Sequence, residues 1–155
     1  MSLSAPDRER AVAYLTGELD AGARIAEAGR LRDEGHGRAV SYSRKVFVPV
    51  TTLCLDTCTY CTFVKPPGAG GEYLTPEDVL AIVQAGDEWD CTEALLTLGD
   101  KPEDKWSQAR EFLAEHGCET TIDYVVKMSE LIRSETRLFP HANPGIMSGA
   151  DISAL

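Results

Sequence analysis

Blocks of helix-like and strand-like hydrophobic pattern alternate along this chain. Residues Asp7 to Glu34 are rich in Ala, Leu, Glu and Arg, with apolar positions on roughly helical spacing. They predict one helix broken near Gly17, or two helices, ending at Gly35 and Gly37. The β-branched run Val46 to Thr52 then predicts the first strand.

Further elements follow the first strand. Thr75 is suited to cap a helix, with Pro76 at the first helical position and Asp78 at the positive end of the helix dipole. The apolar residues that this helix is expected to turn inward are Val79, Leu80, Ile82 and Val83. The remaining predicted elements are strand two at Ala94 to Leu98, one or two helices within Glu103 to Arg133, and strand three at about Thr136 to Phe139.

The order strand, helix, strand, helix, strand predicts an α/β fold with parallel strands and helical crossovers. A helical segment, residues 1–40, precedes this α/β part, residues 41–155. Polar or glycine-rich loops follow each strand, and ligands bind such folds at the carboxyl ends of the strands. The chemistry is therefore expected in those loops.

Charge narrows the classes of partner. The 155 residues include 15 basic and 25 acidic side chains, a formal net charge of -10, which repels nucleic acid and anionic membrane surfaces. No apolar run is long enough to span a bilayer, and Met1 to Asp7 lacks the basic and apolar regions of a signal peptide. We expect a cytoplasmic protein that binds neither nucleic acid nor membrane.

Three of the five cysteines, Cys54, Cys58 and Cys61, form a C-x3-C-x2-C motif directly after the first predicted strand. A cluster of four irons normally takes four thiolates, so three clustered cysteines leave one iron open to a ligand that is not protein. An odd number of cysteines, three of them crowded together, also fits a reducing compartment and a metal better than a disulfide framework.

Two other interpretations of the cysteines compete with a cluster. On a helix the three thiols would share one face and pack as small hydrophobes, but the strand before them and the segment Lys65-Pro66-Pro67-Gly68 after them favour a loop. A structural zinc site needs further ligands. The other candidates stand singly, at Cys91, Cys118, His36, His116 and His141. An iron-sulfur cluster is the favoured interpretation.

With an aromatic residue, Tyr60, directly before its last cysteine, the motif resembles the signature of radical S-adenosylmethionine enzymes. The resemblance implies a 4Fe-4S cluster held by the three cysteines, S-adenosylmethionine on the fourth iron, and Tyr60 near the adenine. Gly99-Asp100-Lys101-Pro102 occupies the place of a family motif that contacts the amino group of the cofactor. Asp100 would then pair with that amine, although G-D-K-P is also a tight-turn sequence.

A narrower resemblance, to the synthases of the deazaflavin chromophore FO, covers nearly the whole chain. It rests on five segments: residues 41–47, 60–63, 97–103, 121–124 and 140–145. It implies the second of two radical steps, in which a tyrosine-ribitylaminouracil adduct from a partner radical synthase, or from a fused domain, closes to FO with loss of ammonia. His141 would bind substrate and Asn143 the cofactor, while the electron donor is not identified; Asn-Pro-Gly is equally a turn sequence.

Radical enzymes of this kind build a partial TIM-type barrel of about six strand-helix units. The chain supplies about three, so we expect the N-terminal portion of such a barrel, not active alone. Two alternatives remain open on sequence: another radical enzyme of cofactor synthesis, of the biotin, thiamine or menaquinone type, or a non-catalytic iron-sulfur or zinc fragment. Trp89 and Trp106 are predicted to have a packing role.

Overall fold

The computed structural model describes residues 4–155, so residues 1–3, with which the predicted helical segment begins, lie outside the described residues. The chain forms two compact units, with the boundary between Tyr42 and Ser43. No helix within residues 4–155 is long and apolar enough to cross a membrane.

The first unit holds two helices, α1 (Ala5–Leu15) and α2 (Ala21–His36), capped by the side chains of Ser4 and Asp20. Of the two predicted forms of this segment, the pair of helices is confirmed. Gly37, with φ at +69°, ends α2 because it adopts a backbone conformation that side-chain-bearing residues rarely reach. Gly35 lies inside the helix, contrary to the prediction. No residue of either helix is buried within the described structure.

The second unit is built on three parallel strands in the order β1 (Lys45–Thr51), β2 (Glu93–Leu98) and β3 (Phe139–Asn143). The predicted parallel α/β arrangement is confirmed. The helices of this unit are α3 (Pro76–Glu88), α4 (Ser107–Glu115), α5 (Thr121–Glu135) and α6 (Gly149–Ala154), and short 3-10 turns lie at Pro67–Ala69 and Pro102–Asp104. Helix α6 was not foreseen from the sequence.

The core lies between one face of the sheet and the helices α3, α4 and α5. Val48 of β1 and Leu96 of β2 are adjacent in register and fully buried. They pack in one cluster with Val83 of α3 and Met128 of α5. Burial of such apolar side chains supplies most of the driving force for folding. The N-terminus of α3 is as predicted, since Thr75 and Asp78 form a reciprocal capping box.

The prediction for strand three was wrong. Helix α5 runs to Glu135, and the hydroxyl of Thr136 donates to the carbonyl of Ile132, so the strand begins only at Phe139. Pro140, which as a turn signal argued for a loop, is tolerated because β3 is an edge of the described sheet, where a residue without an N–H is admissible. His141 and Asn143 therefore belong to a strand.

Candidate functional site

The three clustered cysteines lie in an irregular segment that leaves the carboxyl end of β1. Its base is closed by two main-chain hydrogen bonds, from Thr52 N to Glu72 O at 3.0 Å and from Lys65 N to Thr52 O at 2.9 Å. No helix forms within residues 52–65. The predicted loop is confirmed, and the packing interpretation that required a helix is wrong. We call residues 52–65 the cysteine loop.

Cys54 is the buried member of the trio, with 7% of its surface exposed. Its Sγ accepts two main-chain N–H groups, from Asp100 at 3.2 Å and from Asp56 at 3.4 Å. Hydrogen bonds to the ligating sulfurs tune iron-sulfur clusters. The first cysteine is therefore already placed in an environment suited to a ligand.

The turn after β2 forms the other side of this environment. Gly99 N donates to Thr51 O at 3.2 Å, and Leu55 N donates to Asp100 O at 2.8 Å. A β-carbon on Gly99 would lie 1.9 Å from Leu53 O, so only glycine permits the two backbones to approach this closely. The G-D-K-P segment and the cysteine loop, far apart in sequence, are therefore in direct contact.

Two residues of the turn are unusual: Lys101 in its backbone conformation and Asp100 in its hydrogen bonding. Lys101 has φ at +34°, the left-handed region, which side-chain-bearing residues rarely adopt and which is enriched at functional sites. Asp100 Oδ1 is buried and finds no hydrogen-bond partner among the described residues. It would lie 3.2 Å from a β-carbon placed on Gly145, in the turn after β3. A buried carboxylate oxygen without a donor is costly, and a cationic ligand would satisfy it.

The three thiols border one cavity of about 320 Å³. It is also lined by two lysines, one carboxylate and Trp106; the full lining is Cys54, Asp56, Thr57, Cys58, Cys61, Val64, Lys65, Pro66, Lys105 and Trp106. Within residues 4–155, no group of three or more Cys, His, Asp or Glu side chains converges closely enough to hold a metal ion. The chemistry of the three thiols and the orphaned Asp100 oxygen nevertheless fit a thiolate-bound cluster with a cationic ligand beside it.

The other predicted site residues are more dispersed. Tyr60 is 87% exposed. Asn143 is the last residue of β3, beside Thr97 of β2, and so lies at the carboxyl end of the sheet. Pro102 is buried at the start of the 3-10 turn that follows Lys101. The structure thus brings Gly99 and Asp100 into contact with Cys54, whereas the side chain of Tyr60 is exposed.

His141 lies on the sheet face opposite the core. Its hydrogen-bond partners are residues of β1 and β2, not residues of the cysteine loop. Its Nδ1 is 2.7 Å from Glu93 Oε2 and 2.8 Å from Lys45 Nζ. Hydrogen bonds from Lys45, Ser43 and His141 lower the pKa of Glu93 to about 2. These residues form a charged cluster centred on Glu93, the first residue of β2, which we call the Glu93 cluster.

Sequence reasoning missed two residues that contact the cysteine loop. Trp106 was predicted only to pack, but its Nε1 donates to Cys54 O at 3.0 Å, and Lys105 Nζ donates to Leu55 O at 3.0 Å. Their position two and three residues after the G-D-K-P-E segment was the one available signal. The packing prediction for Trp89 was wrong, because 77% of that residue is exposed.

The motif residue Glu103 also has an unforeseen structural role. Its Oε1 accepts the N–H of Thr121 at 3.0 Å, and its Oε2 accepts the hydroxyl of the same residue. The Thr121 hydroxyl is in turn 2.6 Å from that of Tyr73. Glu103 therefore anchors the G-D-K-P-E turn to the first residue of α5, which is also the first residue of the segment 121–124 singled out in the sequence.

Comparison with curated proteins finds relatives that match most of this chain. The chain is 51% identical over 140 residues to an FO synthase of Streptomyces avermitilis, covering 84% of this chain and 16% of the relative. It is 46% identical over 142 residues to an FO synthase of Mycobacterium tuberculosis, with 86% and 17% covered. A 7,8-didemethyl-8-hydroxy-5-deazariboflavin synthase of Methanopyrus kandleri is 42% identical over 117 residues, with 75% and 35% covered.

The chain therefore spans about a sixth of the length of the bacterial relatives and about a third of the Methanopyrus relative. No family model matches it. Among solved structures, methylornithine synthase (PylB) superposes with a TM-score of 0.57 at 18% identity, covering 88% of this chain and 37% of that one. This likeness concerns the fold and agrees with the predicted α/β class. The predicted resemblance to the FO synthases is confirmed by sequence.

Proposed function

We propose that this chain, which is homologous to the FO synthases, carries the cluster-binding part of a radical S-adenosylmethionine enzyme that makes the deazaflavin chromophore FO. The observation that carries the proposal is the hydrogen bond from Asp100 N to Cys54 Sγ. It places the C-x3-C-x2-C motif and the G-D-K-P turn side by side at the carboxyl edge of a parallel sheet, where α/β folds bind ligands.

Cys54, Cys58 and Cys61 would hold a 4Fe-4S cluster through three irons, leaving the fourth to the amine and carboxylate of S-adenosylmethionine. When bound and reduced, this pair supplies the electron that breaks a carbon-sulfur bond and gives the carbon radical that removes a hydrogen from substrate. The contribution of the protein is position, electrostatics and exclusion of water.

Asp100 is the residue of this chain with the clearest role toward the cofactor. Its buried Oδ1 finds no donor within residues 4–155, and the amino group of the cofactor would donate an N–H to this carboxylate oxygen and be held by it. Gly99 and Pro102 shape the turn that presents this carboxylate. Tyr60 and Asn143 toward the cofactor, and His141 toward the substrate, stay predictions from the family resemblance.

Within FO formation we assign the chain to the second radical step. The substrate would be the tyrosine-ribitylaminouracil adduct made by a partner radical synthase or a fused domain, and the product forms by ring closure with loss of ammonia. Support comes from the Methanopyrus relative, whose name is that of a synthase of FO itself and which matches 75% of this chain.

The first test is reconstitution of the chain with iron and sulfide under anaerobic conditions, followed by reduction and electron paramagnetic resonance. We expect a reduced-cluster signal that changes when S-adenosylmethionine is added, and its loss in Cys58→Ala, with Cys91→Ala as the matched cysteine control. A signal that ignores the cofactor would contradict a radical enzyme, and zinc retained in place of iron would favour the structural-metal alternative.

Ring closure is tested in a chimera. Residues 43–155 would replace the matching segment of the Methanopyrus synthase, and the purified protein would be supplied with the adduct and assayed for FO fluorescence. We expect product from the chimera and none from its Cys58→Ala form. A chimera that cleaves S-adenosylmethionine without forming FO would point to a different radical enzyme.

A further inference from the structure

Two consecutive residues outside the sequence motifs donate side-chain hydrogen bonds to main-chain carbonyls of the cysteine loop. Trp106 Nε1 donates to the carbonyl of Cys54, and Lys105 Nζ donates to the carbonyl of Leu55, each at 3.0 Å. Both residues also line the cavity that the three thiols border. Consecutive residues thus bond consecutive carbonyls about fifty positions earlier in the chain.

The main chain of Lys105 and Trp106 is itself held by hydrogen bonds. The main-chain N–H of each donates to Pro102 O, at 3.1 Å for Lys105 and 2.8 Å for Trp106, and Pro102 is buried. The ammonium of Lys105 lies 5.0 Å from the centre of the Trp106 ring, a cation-π distance. The pair is therefore prearranged, and the loop is docked onto it.

This arrangement fixes Cys54 from two directions. Asp100 N donates to its sulfur at 3.2 Å, and Trp106 donates to its carbonyl at 3.0 Å. The ammonium of Lys105 adds positive charge to a cavity whose other charged lining residues are Lys65 and Asp56. Reduction adds an electron to a cluster, and the reduced form gains more from a nearby cation than the oxidised form does.

We propose that Lys105 and Trp106 form a clamp that positions the cysteine loop through its main-chain carbonyls, and that Lys105 also raises the reduction potential of the cluster held there. The second half of the proposal rests on the proposed function, whereas the first concerns the chain without metal. Both residues act as positioning residues, through the loop and through charge, and neither needs to touch substrate.

Hydrogen exchange in the metal-free chain tests the positioning half. Trp106→Phe keeps an aromatic side chain, smaller than indole, and removes the N–H donor. Loss of one hydrogen bond should speed exchange of the Leu55 amide by roughly 2-fold to 10-fold. The Lys65 amide, at the base of the loop, is the internal reference, and circular dichroism checks that the variant folds. Equal exchange of the Leu55 amide in variant and parent chain would overturn the clamp.

Redox titration of the reconstituted chain tests the charge half. Lys105→Met should make the potential more negative, by up to a tenfold change in the ratio of reduced to oxidised cluster, which is about 59 mV for one electron. Lys105→Arg should restore the parent potential. Lys127→Met is the matched control, because Lys127 also donates to a main-chain carbonyl, that of His116, at 2.7 Å.

A potential in Lys105→Met that equals that of Lys127→Met would overturn the charge half of the proposal. A parent chain that assembles no cluster would overturn the proposed function together with the charge half. The exchange of the Leu55 amide in the metal-free Trp106→Phe chain would then still decide the clamp, so the two failures are distinguishable.

Discussion

The two ends of the cysteine motif are built differently. Cys54 is buried, and both its sulfur and its carbonyl accept hydrogen bonds from residues that follow β2, whereas Cys58 is exposed and Cys61 is half-buried. The main-chain bond from Cys61 N to Cys58 O, at 3.2 Å, closes only a local turn. We infer from the proposed function that folding alone would hold Cys54 in place, whereas Cys58 and Cys61 would be brought into place by metal binding.

The largest effect is expected from disrupting the contact between the G-D-K-P turn and Cys54. Gly99→Ala would place a β-carbon 1.9 Å from Leu53 O and 2.7 Å from Cys54 Cβ, so the two backbones must separate. We expect a loss of about 3 kcal/mol in the free energy of unfolding, measured by urea denaturation of the metal-free chain.

The matched control is Gly68→Ala, in the 3-10 turn just beyond the cysteine loop, where a β-carbon would meet nothing within 4 Å. Its free energy of unfolding should stay within about 0.5 kcal/mol of the parent. Equal effects of the two substitutions would mean that the contact between the cysteine loop and the G-D-K-P turn does not stabilise the fold.

A smaller effect is expected from the cysteines themselves. In the metal-free chain, Cys54→Ala removes a buried side chain and leaves the Asp100 N–H without its sulfur acceptor, so we expect a loss of ~1–2 kcal/mol in urea denaturation. Cys58→Ala removes an exposed side chain and should be nearly neutral. Both variants should fail to retain a full cluster after reconstitution.

That pairing separates structure from ligation at the two ends of the motif. If Cys58→Ala proves as destabilising as Cys54→Ala without metal, then the second cysteine is also placed by folding, and the inferred asymmetry is wrong. Thiol alkylation followed by mass spectrometry gives an independent check, because Cys58 should react well before Cys54 in the parent chain.

The contacts around Cys54 also show which parts of the site could be predicted from the sequence. The β-branched run before Cys54 and the capping residues around Thr75 encode their elements locally, and both elements were predicted correctly. The contacts of Trp106 and Glu103 depend instead on residues about fifty and eighteen positions away, at Cys54 and Thr121. No local pattern specifies such partners, so only the fold reveals them.

The prediction of strand three was wrong for a related reason. Local turn chemistry in Pro140 to Gly145 argued for a loop, yet pairing with β2 holds Pro140 beside Ala94 and Asn143 beside Thr97. Tertiary pairing outweighed local preference at an edge strand. The error mattered for function, because it placed His141 in a loop at the carboxyl end, whereas its observed partners are Lys45 and Glu93.

The smallest expected effect concerns the Glu93 cluster and shows whether the cysteine end of the sheet is independent of it. The pKa of Glu93 is lowered to about 2, chiefly by the hydrogen bond from Lys45. A carboxylate with a lowered pKa in the folded chain contributes stability that is present above its unfolded pKa, about 4.3. That stability is lost as pH falls toward 2.

We therefore expect Glu93→Gln to reduce the loss of stability between pH 5 and pH 2, measured as the urea midpoint at each pH, because Gln cannot be protonated in that range. The effect should be modest because the side chain is only partly buried, so solvent screens its charge. The same substitution should leave the exchange of the Leu55 amide unchanged at neutral pH, since the contacts of Glu93 are to Ser43, Lys45 and His141. Faster exchange at Leu55 would show that the two ends of the sheet are coupled, and that the order at Cys54 depends on more than the turn that contacts it.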